Sequence, residues 1–174
     1  ANKKEAAKYF KKSADLLNSE SMLEYGKMLI DGNGIPKNIE EGVRYIKRSA
    51  DQGYVNSMLL YAALLFDGDK IPTDKKEAAR YFKMAANQKN GRAAYYYARM
   101  LYYGNGVPLN KRKAQKYFKI GGLNGFPLSL FYYSLTLIID FEQSPEMVIK
   151  DKKKGFYYIK KLIDAEFTQA ITFF

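Results

Sequence analysis

Asp67-Gly68-Asp69-Lys70-Ile71-Pro72-Thr73-Asp74-Lys75-Lys76-Glu77-Ala78-Ala79-Arg80-Tyr81-Phe82-Lys83-Met84-Ala85-Ala86 reads as a turn, a helix cap and a helix rich in small residues. Moved back by 36 residues, Tyr81 lands on Tyr45 and then on Tyr9; moved forward, it lands on Tyr117. The same shift relates Gly32, Gly68 and Gly104, then Pro36, Pro72 and Pro108, then Tyr25, Tyr61, Tyr97 and Tyr133. Ala14, Ala50, Ala86 and Gly122 keep the register, as do Lys11, Lys47, Lys83 and Lys119. A fixed period agreeing at this many positions is the signature of a repeat array, in which each unit buries its core against its neighbours.

Within each period the punctuation is that of two helices. Around Gly32-Asn33-Gly34-Ile35-Pro36, glycine supplies the positive φ that ends a helix and proline cannot continue one. Asn38 with Glu41, and Asp74 with Glu77, read as capping boxes that open the second helix. Asn2 with Glu5 opens the first such helix, and Asn110 caps another, with Lys113 where Glu would close the box. Residues 1–18 read as the second helix of a truncated repeat, and 19–54, 55–90, 91–126 and 127–167 as repeats of a single array. Residues 168–174 read as the start of a further repeat. In the last full unit Tyr158 matches Tyr117 at a spacing of 41, so five residues are added within 140–150 and the Gly-x-Gly turn is lost there.

These residues resemble the Sel-1-like repeat family, relatives of the tetratricopeptide repeats. The resemblance rests on Gly26, Gly32-Asn33-Gly34-Ile35-Pro36, Asn38, Tyr45 and Ser49-Ala50, and again on Gly104-Asn105-Gly106-Val107-Pro108, Asn110 and Tyr117. It implies an all-α fold, a right-handed superhelical solenoid of antiparallel helix pairs. Departures are Ala62, Ala98 and Ser134 at the first-helix glycine position, Tyr where the family often has Trp, Asp69-Lys70 in one turn, and the rebuilt turn after Ile139. Small residues at 26, 62, 98, 134 and at 14, 50, 86, 122 let helices of neighbouring pairs approach, and the tyrosines at 9, 45, 81 and 117 fill the space between layers.

Composition narrows the chemistry. At 47% hydrophobic and 16% aromatic the chain has enough apolar surface for a continuous core. It has no Cys and no His, so a thiolate nucleophile, a disulfide framework and the commonest zinc ligands are missing, and no cofactor or metal is expected. These absences, with no Asn-x-Ser/Thr acceptor, lean towards a reducing, cytosolic setting. No apolar run approaches the length of a membrane span, and the chain opens without the apolar segment of a signal peptide. Asp and Glu sit at caps and solvated helix positions, so no catalytic residue is expected. The Gly-Asn-Gly turns lack the following Gly and the Lys-Ser/Thr pair of a phosphate loop.

Binding is the better supported activity. The resemblance implies that first helices line a concave face that contacts peptides. Positions i, i+4, i+7 and i+11 give one stripe per first helix. The stripes are Glu20, Glu24, Lys27, Asp31; Asn56, Leu60, Ala63, Asp67; Arg92, Tyr96, Arg99, Tyr103; and Leu128, Tyr132, Leu135, Ile139. The groove would pass from acidic through basic and aromatic to apolar. The expected partner-binding residues are Glu24, Leu60, Arg92, Tyr96, Arg99, Tyr103, Leu128 and Tyr132, centred on Tyr96, Arg99, Tyr103 and Tyr132. Arg and Tyr concentrate binding energy at interfaces. Core packing is the expected role of Leu135 and Ile139. The partner is expected to be a protein or peptide with acidic or aromatic groups.

A different class of function rests on the net charge of +11. Lys111, Arg112, Lys113, Lys116 and Lys119, with Lys150, Lys152, Lys153, Lys154, Lys160 and Lys161, belong to second helices and their entries on the convex side. They could dock electrostatically on nucleic acid or an anionic membrane, although no nucleic-acid module is visible. A passive spacer in a larger protein is a third reading. The apolar end Ile171-Thr172-Phe173-Phe174 is compatible with self-association through exposed repeat ends.

Overall fold

The computed structural model describes residues 2–138 and 151–167. Among these residues there are nine α-helices and no strand: α1 Lys3–Asp15, α2 Ser19–Asp31, α3 Ile39–Asp51, α4 Val55–Asp67, α5 Lys75–Asn87, α6 Gly91–Tyr103, α7 Lys111–Leu123, α8 Pro127–Ile138 and α9 Lys152–Asp164. The chain divides into two compact units, Ala1–Tyr81 and Phe82–Phe174. The loop at 140–150, with its added residues, Lys150 and Ile139, and the start of a further repeat at 168–174, lie outside the described residues.

Helix boundaries follow the caps. Asn38 Oδ1 accepts from the Glu41 amide at 3.1 Å while its side-chain amide donates to Glu41 Oε2 at 3.0 Å, so that box closes between side chains. Asp74, Asn110 and Asp151 accept from the amides three residues on, at 2.9, 2.6 and 3.0 Å. Asn2 instead accepts from Lys4, two residues on. Asn18 and Asn90 cap the first helices α2 and α6, each accepting from the amide three residues on, at 2.8 and 2.9 Å. Gly32, Gly68 and Gly104 end α2, α4 and α6 in the left-handed region, with φ of 72°, 76° and 72°.

Each second helix is tied back to its own first helix by the amide of the cap residue. Asn38, Asp74, Asn110 and Asp151 donate to the carbonyls of Leu29, Leu65, Leu101 and Leu137, at 2.8, 2.9, 2.8 and 3.2 Å. The last of these ties survives the change of spacing from nine residues to fourteen.

Inside a repeat the two helices meet through edge-to-face tyrosines. Tyr25 meets Tyr45 with ring centroids 5.0 Å apart at 88°, Tyr61 meets Tyr81 at 4.9 Å and 86°, and Tyr97 meets Tyr117 at 4.7 Å and 89°. This places the positive ring edge on the negative face, the preferred aromatic arrangement. Tyr81 is fully buried, whereas Tyr9 is 65% exposed. The expectation that Tyr9 fills an interlayer space is therefore corrected, since most of its ring is open to solvent.

The role of the small residue at 26 is also corrected. It serves the approach of helices within one pair: a Cβ on Gly26 would lie 2.8 Å from the Gly42 carbonyl, and one on Gly42 2.6 Å from the Gly26 carbonyl. Gly155 likewise faces the Ser134 carbonyl and the Ile138 side chain. The close approach between successive pairs involves other positions. Ser13 accepts from Ser21 at 2.8 Å, and Ser49 lies 2.6 Å from Ser57, while Gly121 packs against Ser129.

Candidate functional site

In the second unit α6 and α8 are neighbouring first helices, packed on each other and on α7 between them. Their residues join a connected aromatic cluster, buried at Tyr95, Phe118 and Phe82 and half-buried at Tyr96 and Tyr132. Tyr96 stacks on Phe82 at 5.1 Å and 23° and meets Tyr95 edge-on at 5.4 Å. Tyr95 in turn contacts Tyr132 at 5.6 Å, and Tyr132 lies flat on Phe118 at 5.4 Å and 18°.

Two guanidinium groups lie over these rings, Arg92 over Tyr96 and Arg99 over Tyr95, each 5.7 Å from the centroid. Cations at such distances are held by the ring quadrupole. The Tyr95 hydroxyl also interacts with both the Arg99 guanidinium and the Tyr132 hydroxyl. Burial pushes the Tyr95 phenol up to about 12; the nearby Arg99 cation opposes that rise, and Tyr132 adds to it. Tyr95 is 4% exposed, so it acts as the buried post on which Arg99 and Tyr132 rest.

The expected residues therefore separate into three groups. Arg92, Tyr96, Arg99 and Tyr132 come together through Tyr95, with both arginines exposed and both tyrosines half-buried. Tyr103, 55% exposed, stands at the end of α6 against Tyr102 at 5.0 Å. Leu128 packs beside Leu135 and Tyr132 on the core formed by Phe131, Ile159 and Leu162. Glu24 and Leu60 belong to the first unit: Glu24 is engaged by Lys27 at 2.6 Å, and Leu60 is half-buried on α4. The stripe is thus partly sunk into the packing, and its arginines and Tyr103 are its most accessible members.

Sequence spacing missed Tyr95, which lies three residues from Arg92 and outside the chosen stripe. The available signal was register: Leu23, Leu59 and Phe131 occupy the corresponding positions, and only here is the residue a phenol.

The charge around this surface is one-sided. Between Glu77 and Asp140 the sequence has no carboxylate, while nine Lys and Arg side chains fall from Lys83 to Lys119. Neither Arg92 nor Arg99 enters an ion pair among the described residues. Lys111 at the start of α7 lies over the Tyr102 ring, 5.7 Å from its centroid, whereas Lys116, Lys119, Lys160 and Lys161 are exposed on second helices beside exposed Ile120, Phe156 and Tyr157. Among the described residues no group of His, Cys, Asp and Glu could hold a metal ion, and no helix is long and apolar enough to cross a membrane.

Paired helices tied by cap amides, edge-to-face tyrosines and αL glycines at one period define an all-α solenoid repeat protein. The model of the Sel1 repeat matches residues 1–16, 19–54, 55–90, 91–126 and 141–166, and the chain belongs to that family. No curated protein matches it. Among solved structures it is similar to a Sel1 repeat protein from Oxalobacter formigenes, at 23% identity and TM-score 0.81, over 96% of this chain and 66% of that one. It is also similar to a protective antigen of uropathogenic Escherichia coli with an SLR fold, at 18% identity and TM-score 0.86, over 97% of this chain and 35% of that one. Cysteine rich protein B of Helicobacter pylori aligns at 20% identity and TM-score 0.55, over 70% of this chain and 87% of that one. The chain thus spans about two thirds of the first of these proteins and about a third of the second. Sel1 repeat proteins generally act as protein–protein interaction scaffolds without catalysis of their own.

Proposed function

We propose that this chain is a non-catalytic adaptor that holds a peptide segment or partner domain on the first-helix face of its second unit. Tyr96, Arg99, Tyr103 and Tyr132 form the centre, with Arg92 and Leu128 at its edge. Glu24 and Leu60 hold the corresponding first-helix positions of the first unit. The observation that carries this reading is the pair of exposed guanidinium groups lying over tyrosine rings, with no ion pair among the described residues. The side chain of such a group is already ordered, which lowers the entropy lost on binding.

The test is comparative capture from a nuclease-treated cell extract, followed by direct binding of each captured protein in purified form. Wild type is set beside Tyr96→Ala/Arg99→Ala and Lys116→Glu/Lys119→Glu, each checked for helical content and melting. Direct binding lost with the first pair and kept with the second supports the reading. Binding kept with the first pair and lost with the second moves the activity to the lysine-bearing second helices.

A further inference from the structure

We infer that the segment received by this face is an acidic peptide, with two carboxylates spaced to meet Arg92 and Arg99. This rests on the first-helix face being the binding face and adds the chemistry of the occupant. The argument is charge complementarity at close range. A protein surface ordinarily mixes both signs, but α6 and α8 carry Arg92 and Arg99 and no carboxylate, and the whole stretch between Glu77 and Asp140 supplies none. A cation held over a ring, with no ion-pair partner among the described residues, is a ready site for a carboxylate. The planar guanidinium donates two parallel hydrogen bonds that match a carboxylate's two oxygens.

Spacing sharpens the proposal. Arg92 and Arg99 are seven residues apart, two turns, or about 10 Å along the helix axis. In a polyproline II segment, residues i and i+3 share a face and lie about 9 Å apart. In a helical segment, residues i and i+7 lie about 10 Å apart. The guanidinium groups themselves lie over the neighbouring rings of Tyr96 and Tyr95, whose centroids are 5.4 Å apart, so the acidic peptide carries two Asp or Glu at or within these separations. The half-buried rings of Tyr96, between the arginines in sequence, and of Tyr132, against Tyr95, offer apolar area to the residues in between, and Tyr103 extends the surface beyond Arg99. A nucleic acid is less well matched, because, apart from Lys111 over the Tyr102 ring, the lysines that would follow its phosphates lie further along α7 and on α9.

The experiment is selection of random twelve-residue peptides displayed on phage against the immobilised full chain, followed by fluorescence anisotropy with the synthesised winners. The expected result is a pool enriched in Asp and Glu, with pairs at or within these separations. Affinity of the winners should fall roughly tenfold or more with either Arg92→Ala or Arg99→Ala, and as much when Asp and Glu in the peptide become Asn and Gln. Lys116→Glu/Lys119→Glu should leave it nearly unchanged. Winners without acidic enrichment, or insensitive to both arginine changes, overturn the inference. If such winners still depend on Tyr96 and Tyr132, the binding face stands and only its acidic preference falls. If no peptide is enriched, or if a labelled single-stranded RNA binds in an Arg99-dependent manner more tightly than every winner, the acidic-peptide occupant is wrong.

Discussion

The Tyr45 hydroxyl donates to Asp15 Oδ1 at 3.1 Å, linking the second helices α3 and α1 across thirty residues of sequence. Lys11 holds the same carboxylate at 2.8 Å. One period later the arrangement recurs: Tyr81 donates to Asp51, which Lys47 holds at 2.8 Å. A third copy is not possible, because Asn87 and then Leu123 occupy the acidic position. The first unit is thus stitched by charge-assisted hydrogen bonds that have no counterpart at positions 87 and 123, in the stretch between Glu77 and Asp140 that has no carboxylate.

Tyr81→Phe removes a hydroxyl from a fully buried ring and should lower stability by about 1.5 kcal/mol, the low end for a bond to a charged group because Asp51 is partly exposed. Tyr45→Phe, on a half-buried ring with an exposed acceptor, should cost less. Chemical denaturation of the two variants, alone and with Asp51→Asn or Asp15→Asn, checks both the ranking and the coupling.

Stability should fall at both extremes of pH. The Lys11 partner holds Asp15 below the usual carboxylate range, and Asp51 is also lowered because Lys47 and Tyr81 outweigh its burial. Depressed carboxylates contribute stability that is complete above the unfolded-state pKa of 3.8 and is lost as pH falls through the folded-state value. Burial raises Tyr81 and Tyr95 to about 12 from 10.0, so their contribution is complete below 10 and lost as pH rises through about 12. Melting temperatures across pH, with phenolate absorbance read in parallel, follow both windows. Tyr81→Phe should remove part of the alkaline loss.

Leu17, Lys89 and Glu166 have φ of 67°, 63° and 57°, in the left-handed position that Gly53 and Gly125 fill in the other repeats. A side chain there costs about 1 kcal/mol or somewhat more, so Lys89→Gly should stabilise and Gly53→Ala should destabilise by a similar amount. Thermal melts of the two variants give opposite shifts if the strain is as described.

Gly42→Ala should destabilise by about 1–3 kcal/mol, since its new Cβ would press on the Gly26 carbonyl. Ala62 and Ala78 hold the corresponding positions in the next repeat, where the pair accepts methyl groups. Denaturation midpoints of Gly42→Ala and Gly26→Ala test the cost.

The fold was legible because period, cap and turn residues all act locally: Asn38, Gly32 and Pro36 each specify backbone within a few positions. What escaped the reading depends on contacts at long range. The Asp15–Tyr45 link joins residues thirty apart, and nothing local distinguishes Asp15 from a solvated charge. Tyr95 sits outside a stripe drawn by exposure, because its part is to support Arg99 and Tyr132 from beneath. Gly26 was legible as a site of close approach, but which helix approaches it was decided by the pairing of α2 with α3.

Tyr103 on α6 and Tyr157 on α9 start from nearly equal exposure, 55% and 54%, one on the proposed binding face and one on a lysine-rich second helix. Hydroxyl-radical footprinting of the chain with and without a purified captured partner reads both side chains in one sample. The account predicts that oxidation of Tyr103, Tyr96 and Tyr132 falls on binding while Tyr157 and Phe156 are unchanged. Protection of Tyr157 and Phe156 with Tyr103, Tyr96 and Tyr132 unaffected would contradict it.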